Sequence, residues 1–406
     1  MAQTQDHFDE WRGPLVNAET DHLTIYGLID GVGLKTMNTL TDEERQSLRD
    51  AVQRLLADHS NEQAVRTTME TSLGYDPVVW QQLADMGVVG LLIDERYGGS
   101  GVGPRELEAV MEEVGAALLC SPLLGSGVLA GSLLQALGDD ELNSRLLPAI
   151  ATGSCIAAAV LTGERGCWTQ AGVEVRAAEG DNGWQVTGRG SYVLHGHNAQ
   201  ILLVLANTDA GLAVFEVEAA AAGVNIELLP TFDHTLRLAS VEFQQTPGRK
   251  VQVTGDVWSA VTQALSIALV ALAGEQAGGA QRCLDFTVEY AKNRIQFGRA
   301  IGSFQAIKHM AADLLLETES AISAARDAAS KLAQNPGGAT EAVSLAAFAC
   351  ADAFVTTTAT SVQMHGGIAF TWDHPAHLYL RRARSGAELF GRSDYHREQY
   401  LQALGA

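Results

Sequence analysis

The stretch YAKNRIQFGR, residues 290–299, stands where a long apolar segment ends, and it decides which fold is expected. The stretch IGSFQ, residues 301–305, then opens another apolar segment. An arginine beside glycines suits a pyrophosphate, because the guanidinium of Arg294 can bind it bidentately and Gly298 lets the backbone approach closely. Taken alone, Arg294 favours a more ordinary interpretation, since basic residues at the C-terminus of a helix often only complement its dipole.

A second glycine-containing stretch, QMHGGIAFT at residues 363–371, follows another long helical pattern. A double glycine after a helix ordinarily caps the helix and turns the chain. Both stretches lie in one helical C-terminal region, and together they are more specific than either is alone.

Long helical patterns surround these two stretches. Apolar residues recur at helical spacing over residues 257–294, 304–332 and 341–364, and each pattern exceeds the average helix of about 11–12 residues. Long helices with short connections are typical of a helical bundle. The sequence therefore predicts a C-terminal four-helix bundle over residues 255–406.

The region upstream of the bundle alternates between apolar and polar residues. This alternation predicts a middle β-barrel or sandwich domain over residues 155–254, with short strands at residues 173–176, 184–187, 201–205, 212–217 and 241–243. A capping box at Thr41 opens an N-terminal helical domain, residues 41–154. Residues 1–40 lack any periodicity and are interpreted as a surface arm. The predicted fold class is α+β multidomain, in the order helical, β, helical.

Composition narrows the classes of function. The formal net charge of -21 repels phosphate backbones and anionic lipid, so neither a nucleic-acid partner nor a membrane partner is expected. Five scattered cysteines without a CxxC pair indicate reduced thiols, and the polar N-terminus does not look like a signal peptide. Polar residues interrupt the apolar stretch at 257–273, which favours a buried helix. We expect a cytoplasmic protein.

The C-terminal stretches resemble the signatures of the acyl-CoA dehydrogenase family. The matching segments are residues 290–299, 304–309, 312–313 and 363–367, and the order of helical and β regions matches from about residue 41 to the end. The resemblance implies FAD as the cofactor, bound at an interface between two subunits. It also implies that one subunit holds the ADP half of the neighbour's FAD through Arg294, Phe297, Gln363, Gly366 and Gly367, with Gln305 as a weaker candidate.

The middle domain departs from the family pattern. The family carries a Thr-Glu-Pro loop and then Gly-Ser-Asp, which touch the isoalloxazine ring, whereas this chain has LTGERGCW at residues 161–168. Thr162 is retained as a weaker candidate for flavin contact. A later Trp-Ile-Thr appears as Tyr192-Val193-Leu194. Tyr192 retains the ability to pack on the ring, but Leu194 has no hydroxyl to donate.

The catalytic base is the sharpest departure. The reaction needs a carboxylate to remove the α-proton of an acyl-CoA while the β-hydrogen leaves as hydride to the flavin. The resemblance places the family's base positions at Phe390 and Ile267, and neither side chain can accept a proton. Acidic residues that lie near in sequence are weak substitutes, since such residues are usually solvated. They are Glu388, Glu275 and Asp394.

Three hypotheses of function follow from these matches and departures. In the first, the chain is a subunit that completes the FAD site of a catalytic paralogue. In the second, it is a self-sufficient homo-oligomeric acyl-CoA dehydrogenase with a relocated base. In the third, it is a flavin-free scaffold or CoA-thioester binder. The stretch 366–374 is similar to the bacterial heteromeric branch that acts on steroid side-chain CoA thioesters, and the resemblance implies an electron-transfer flavoprotein as electron acceptor.

Three nearby histidines raise a metal hypothesis: His365, His374 and His377. A metal site would need supporting cysteines or carboxylates at set spacing, and Asp373 alone is thin support. Structural or hydrogen-bonding roles are therefore favoured, and no metal is expected.

Overall fold

The computed structural model describes residues 39–181 and 183–405. Within them, the chain forms a helical region, then a sheet and then a helical bundle, so the predicted fold class is confirmed. The predicted surface arm, residues 1–40, lies outside the described residues except for its last two positions.

The N-terminal helices begin at the predicted capping box. The amide of Glu44 donates to Thr41 Oγ1 at 3.2 Å, and the amide of Thr41 donates to Glu44 Oε2 at 2.9 Å. Apolar faces of these helices pack into one core that continues into the C-terminal bundle. The helices are α1 (Asp42–His59), α2 (Glu62–Thr68), α3 (Pro77–Asp85), α4 (Pro104–Ala116), α5 (Gly131–Leu137) and α6 (Asp140–Ala151).

The middle region is one eight-stranded sheet. Its strands are β1 (Ala157–Val160), β2 (Arg176–Gly180), β3 (Gly183–Leu194), β4 (Ile201–Thr208), β5 (Gly211–Glu218), β6 (Val224–Leu228), β7 (Leu238–Pro247) and β8 (Arg249–Lys250). They are arranged in the order β6-β7-β3-β2-β4-β5-β8, and β1 pairs with β4 in parallel.

The strand predicted at 173–176 is wrong, since only Arg176 belongs to a strand. Val173 and Val175 are buried as the alternation required, but the pairing with β4 begins only at Arg176, which pairs with Asn207. The backbone amide of Asn207 donates to the Val175 carbonyl at 2.9 Å, and the Val173 carbonyl accepts from the Asn207 side-chain amide at 2.7 Å, where a longer strand would use a backbone amide. The four other predicted strands lie within β3, β4, β5 and β7.

The C-terminal bundle contains the three long helices within two residues of their predicted ends. They are α7 (Val257–Asn293), α8 (Gln305–Gln334) and α9 (Thr340–His365), followed by α10 (Ala376–Gly386) and α11 (Ser393–Ala403). A short hairpin of β9 (Ile295–Gln296) and β10 (Arg299–Ala300) connects α7 to α8.

Two glycines allow α4 and α7 to pack in direct backbone contact. A Cβ added at Gly115 would lie 1.8 Å from the carbonyl oxygen of Glu275, and one at Gly278 would lie 1.8 Å from that of Glu112. No side chain fits at such distances, so these positions fix how the N-terminal region sits on the bundle.

Among the described residues, α7 and the segment Thr340–Phe370 are long and apolar enough to cross a membrane. In each, 61% of the apolar window is buried inside the protein. Both are therefore core helices of the bundle by their packing, which agrees with the buried helix predicted at 257–273.

Candidate flavin-binding end and a closed aromatic contact

The fold brings the two C-terminal motifs to the same end of the bundle. Tyr290 lies one turn before Arg294 on α7, and His365 ends α9 directly before Gly366. The rings of Tyr290 and His365 lie 4.3 Å apart, centroid to centroid, and the Tyr290 hydroxyl donates to the His365 carbonyl at 3.4 Å. The C-termini of α7 and α9 are therefore neighbours, although their motifs are distant in sequence.

Arg294 is presented to solvent at this end. Its backbone is fixed, because its amide donates to the Tyr290 carbonyl at 2.8 Å and its carbonyl accepts from Ile301 at 2.8 Å. Its side chain is exposed, and no carboxylate of the described residues forms an ion pair with it. A guanidinium held on a fixed backbone without an internal partner can bind an anion from outside the chain.

Phe297 forms the tip of the β9–β10 hairpin and is the most exposed large apolar residue described, at 91%. Its φ of 53° is left-handed, which is uncommon for a residue with a side chain and costs on the order of 1–3 kcal/mol. Exposure and strain together indicate that the tip is shaped for a contact outside the chain.

The first turn of α8 adds hydrogen-bond donors to the same end. α8 begins at Gln305, and no side chain caps it. The first amides of a helix have no partner within the helix and carry the positive end of its dipole. The exposed Gln305 thus lies at a helix end that favours anions, immediately after the hairpin that carries Arg294.

The C-terminal end of α9 is also exposed to solvent. Gln363 is exposed, and a Cβ added at Gly366 or Gly367 would meet no atom within 4 Å. Gly366 has a φ of +66°, which terminates α9. These features, with Arg294 and the α8 amides, fit a phosphate-containing group such as the ADP half of FAD.

The opposite arrangement is found at the family's base position. Phe390 is 2% exposed, and its ring packs edge-to-face on Trp168, with centroids 5.1 Å apart at 76°. Phe390 also has a left-handed φ of 61°. Trp168 belongs to the loop that aligns with the family's flavin-contacting segment, so the two segments that would border a flavin and its substrate touch each other.

The hydroxyls of that loop are already occupied. Thr162 is buried, and its hydroxyl donates to the Cys167 carbonyl at 2.8 Å. The Tyr192 hydroxyl donates to the Glu164 carbonyl at 3.0 Å. A Cβ at Gly166 would lie 3.1 Å from the Tyr192 ring, so Tyr192 packs on its own loop. Thr162 and Tyr192 therefore stabilise the loop rather than project from it.

Glu275 is committed to a buried ion-pair network. Its carboxylate accepts from Arg382 Nη1 at 2.7 Å, and Arg382 Nε lies 3.2 Å from Asp233 Oδ2. Arg382 also donates to the Leu119 carbonyl at 3.1 Å, so it links three regions of the chain. The neighbouring carboxylates raise the pKa of Arg382 against the opposing effect of burial. A carboxylate tied to this arginine is a poor proton acceptor, which argues against Glu275 as the base.

The other candidates for the catalytic base do not place a carboxylate without an ion pair beside Trp168 and Phe390. Ile267 is apolar and 9% exposed. The Glu388 and Asp394 carboxylates are solvated and lie 3.7 Å and 3.8 Å from Arg392. Their placement matches the ordinary interpretation of acidic surface residues.

The histidines near the open end have structural contacts. His365 hydrogen-bonds through Nδ1 to the Ser361 carbonyl at 2.8 Å and lies 4.4 Å from the His374 ring. His377 packs edge-to-face on Trp372 at 4.7 Å. Burial lowers the pKa of all three. Within residues 39–181 and 183–405, no three potential ligands are grouped to hold a metal ion.

Sequence reasoning did not assign roles to Trp168, Tyr290 or Arg382. The role of Trp168 was open to prediction, because this large aromatic residue ends the loop in which the family has small residues. Tyr290 and Arg382 act through contacts with residues distant in sequence, and no local pattern predicts those contacts.

Two family models match the chain. The model described as acyl-CoA dehydrogenase, N-terminal domain, matches residues 42–154, and the model described as acyl-CoA dehydrogenase, C-terminal domain, matches residues 255–405. The acyl-CoA dehydrogenase IpdE2 of Mycolicibacterium smegmatis is 36% identical over 350 residues, which are 86% of this chain and 95% of that protein. FadE27, an acyl-CoA dehydrogenase of Mycobacterium tuberculosis, is 33% identical and covers 76% of this chain and 83% of its own length.

Solved structures show the same architecture. A chain of the ChsE4-ChsE5 complex from Mycobacterium tuberculosis superposes with a TM-score of 0.82 at 29% identity, over 90% of this chain and 98% of its own. A variant of the Tcur3481-Tcur3483 steroid ACAD superposes with a TM-score of 0.81 at 26% identity, over 89% of this chain and 98% of its own.

Proposed function

This chain belongs to the acyl-CoA dehydrogenase family, and we propose that it is the subunit of a heteromeric FAD-dependent enzyme that completes the FAD site of a catalytic paralogue. Its substrate is an acyl-CoA thioester that the paralogue holds. The chain supplies the outer, phosphate-binding half of the flavin site. The other, inner half of the site, where this chain would itself bind the isoalloxazine ring and the substrate, is not functional.

The open end of the bundle supports the first part of this proposal. Arg294 is fixed by its backbone yet has no internal partner among the described residues, and Phe297 projects from the hairpin tip. Gly367 leaves space for close backbone approach. Within the described residues Phe297 contacts only the edge of the Phe304 ring, and the chemistry of these groups suits a pyrophosphate and the surface of another subunit.

The contact between Trp168 and Phe390 supports the second part of the proposal, that this chain has no functional ring and substrate site of its own. A working site needs space for both the flavin ring and the acyl thioester beside the loop and the base. Each stacked layer adds about 3.5 Å, whereas the two rings are in direct edge-to-face contact at 5.1 Å. Neither a flavin ring nor a thioester fits between them, and no carboxylate stands at either base position.

When bound, FAD supplies the acceptor for the β-hydride of the acyl-CoA, and a carboxylate of the paralogue takes the α-proton. Arg294 neutralises the charge of the pyrophosphate, and the first amides of α8 donate hydrogen bonds at the same end. Gly366 and Gly367 let the backbone lie against the cofactor. Phe297 excludes water from the contact between the subunits.

Two solved structures support the partner and the substrate class. One matching chain comes from a complex of two proteins, ChsE4-ChsE5, and another is described as a steroid ACAD. By analogy, we assign this chain a paralogous partner and a bulky acyl-CoA substrate. An electron-transfer flavoprotein takes the electrons in this scheme, on the strength of the family resemblance alone.

Co-expression with the paralogue tests the proposal. The chain alone purifies without flavin colour, and the assembled complex contains FAD and reduces an artificial electron acceptor with acyl-CoA. Arg294→Ala in this chain lowers the flavin affinity of the complex about tenfold or more, because one charged hydrogen-bonding partner is lost. Lys292→Ala is the matched control, since Lys292 lies on the same exposed helix end and, among the described residues, forms an ion pair only with Glu289.

Unchanged flavin occupancy in the Arg294→Ala complex would contradict the proposal that this chain contributes phosphate-binding groups to the FAD site. Flavin bound to this chain alone, together with acyl-CoA turnover, would support a self-sufficient enzyme instead.

A further inference from the structure

A cavity of about 690 Å³ opens between the N-terminal helices and the end of the bundle. Residues of α1, α2, α4, α7, α9 and α10 line it. None of the proposed FAD contacts, and neither Trp168 nor Phe390, is among the lining residues. Its size lies within the range of about 300–1,000 Å³ that is usual for small-molecule sites.

The walls of the cavity are mainly apolar and include a group of aromatic rings. Phe286 and Tyr290 come from α7, and Tyr379 comes from α10. The rings of Phe286 and Tyr379 lie 5.5 Å apart, and Phe286 lies 5.7 Å from His365. Because these rings contact one another, they form a continuous apolar face that suits a flat or polycyclic body.

Among the described residues, the charged groups of the cavity leave one cation without an ion-pair partner. Glu62 pairs with Arg66 at 2.7 Å, and Glu113 pairs with Arg49 at 2.6 Å. Arg282 lines the same cavity, and no carboxylate of the described residues forms an ion pair with it. His365 and His374 add no positive charge at neutral pH, since burial lowers the pKa of both imidazoles.

We propose that this cavity binds a small aromatic or polycyclic carboxylate, with its apolar body against Phe286, Tyr290 and Tyr379 and its carboxylate on Arg282. Charge complementarity selects an anion, because Arg282 is the cation left unpaired among the described lining residues. The aromatic face selects an unsaturated or fused-ring body over a polar metabolite. The site shares no lining residue with the proposed FAD contacts, although Tyr290 and His365 also join the helices that carry them, and binding there does not require the paralogue to hold flavin.

Isothermal titration of the full-length chain with 2-naphthoate tests this site, and 2-naphthamide serves as the uncharged probe of equal shape. The unmodified chain binds naphthoate more tightly than naphthamide. Arg282→Gln weakens naphthoate binding about tenfold, because a charge-assisted hydrogen bond is lost, and leaves naphthamide binding unchanged. Arg54→Gln is the matched control, since Arg54 is exposed on α1 and does not line the cavity.

A second variant tests the location of the site by filling it. Ala57 lines the cavity from an exposed position of α1, so Ala57→Trp occupies the space without disturbing the core. This variant loses binding of both probes, whereas Arg294→Ala at the flavin-binding end binds both as the unmodified chain does. Absence of naphthoate binding at millimolar concentration, or equal binding by Ala57→Trp, overturns the proposal.

Discussion

The open end of the bundle and the aromatic contact at the family's base position differ in how their polar and apolar groups are used. At the open end, Arg294 has no ion-pair partner among the described residues, and Phe297 is 91% exposed. At the aromatic contact, Phe390 is 2% exposed and packs on Trp168. Both regions contain a left-handed residue with a side chain, Phe297 and Phe390.

This difference indicates which of the two regions is able to bind a ligand from outside the chain. Groups that are fixed in position but lack internal partners are prepared for an external ligand. Side chains that pack on one another, as Trp168 and Phe390 do, leave no space for a ligand between them. Under the proposed function, in which two subunits build each flavin site, one chain can keep the first kind of region and lose the second.

The largest effect is expected from Phe390→Glu, which places a carboxylate at the family's base position. The change buries an ionisable group against Trp168 without a partner, so we expect destabilisation on the order of 5 kcal/mol. Urea denaturation measures it, and Phe390→Leu is the control, which removes ring contacts without burying a charge and so costs less, about 0.5–3 kcal/mol. Acyl-CoA turnover by the Glu variant without the paralogue would show that the inner half is an open site that lacks only its base.

Arg382→Leu tests the buried network that joins α10 to α7 and to the segment between β6 and β7. Removal of the guanidinium leaves the carboxylates of Glu275 and Asp233 buried without their cation. The expected loss is about 3–5 kcal/mol of unfolding free energy in urea denaturation. Arg381→Leu is the matched control, because Arg381 stacks at the surface on Phe232 and Trp372, and such contacts contribute about 0.5–1 kcal/mol. Equal effects of the two variants would contradict the central role of Arg382.

Gly367→Val separates ligand binding from folding at the open end. The structure has room for a side chain at this position, so the melting temperature of the isolated chain stays the same. The new side chain blocks close approach of a cofactor, and flavin affinity of the complex falls about tenfold by loss of a phosphate contact. Gly337→Val, in the turn between α8 and α9, is the control, because its nearest neighbour lies 4.0 Å from an added Cβ. Full flavin occupancy in the Gly367 variant would place the cofactor elsewhere.

The smallest effect concerns pH and the residue His396, which is buried close to Gly391. Burial lowers the pKa of His396 to about 4 from its usual value near 6.5. The unfolded chain therefore binds more protons, and stability present above pH 6.5 is lost as the pH falls toward 4. At pH 5 the loss is about 1–2 kcal/mol. His396→Gln flattens this dependence in urea titrations at pH 7 and pH 5, and an unchanged slope would assign it to other groups.

Much of the fold was predictable, because its long helices have strong local patterns. The ends of α7, α8 and α9 and the Thr41 capping box followed from apolar spacing and helix capping. The true start of the strand predicted at 173–176 was not predictable, since the alternation is real but the Val173 carbonyl accepts from the Asn207 side chain and the pairing begins at Arg176.

The candidate site was predictable only in part. The motifs around Arg294 and Gly367 are local, and their resemblance to a family was visible in the sequence. Their meeting through Tyr290 and His365, and the contact of Trp168 with Phe390, depend on tertiary packing. Glu275 illustrates the limit, because its use in an ion pair with Arg382 is invisible from sequence spacing.

The most direct test of the central claim is the amount of FAD per chain in the purified complex of this protein with its paralogue. Flavin released by denaturation is quantified by absorbance against the measured amount of each chain. We expect one FAD for each pair of unlike chains and none in this chain purified alone. One FAD for every chain of the complex, or one FAD held by this chain alone, would contradict the claim.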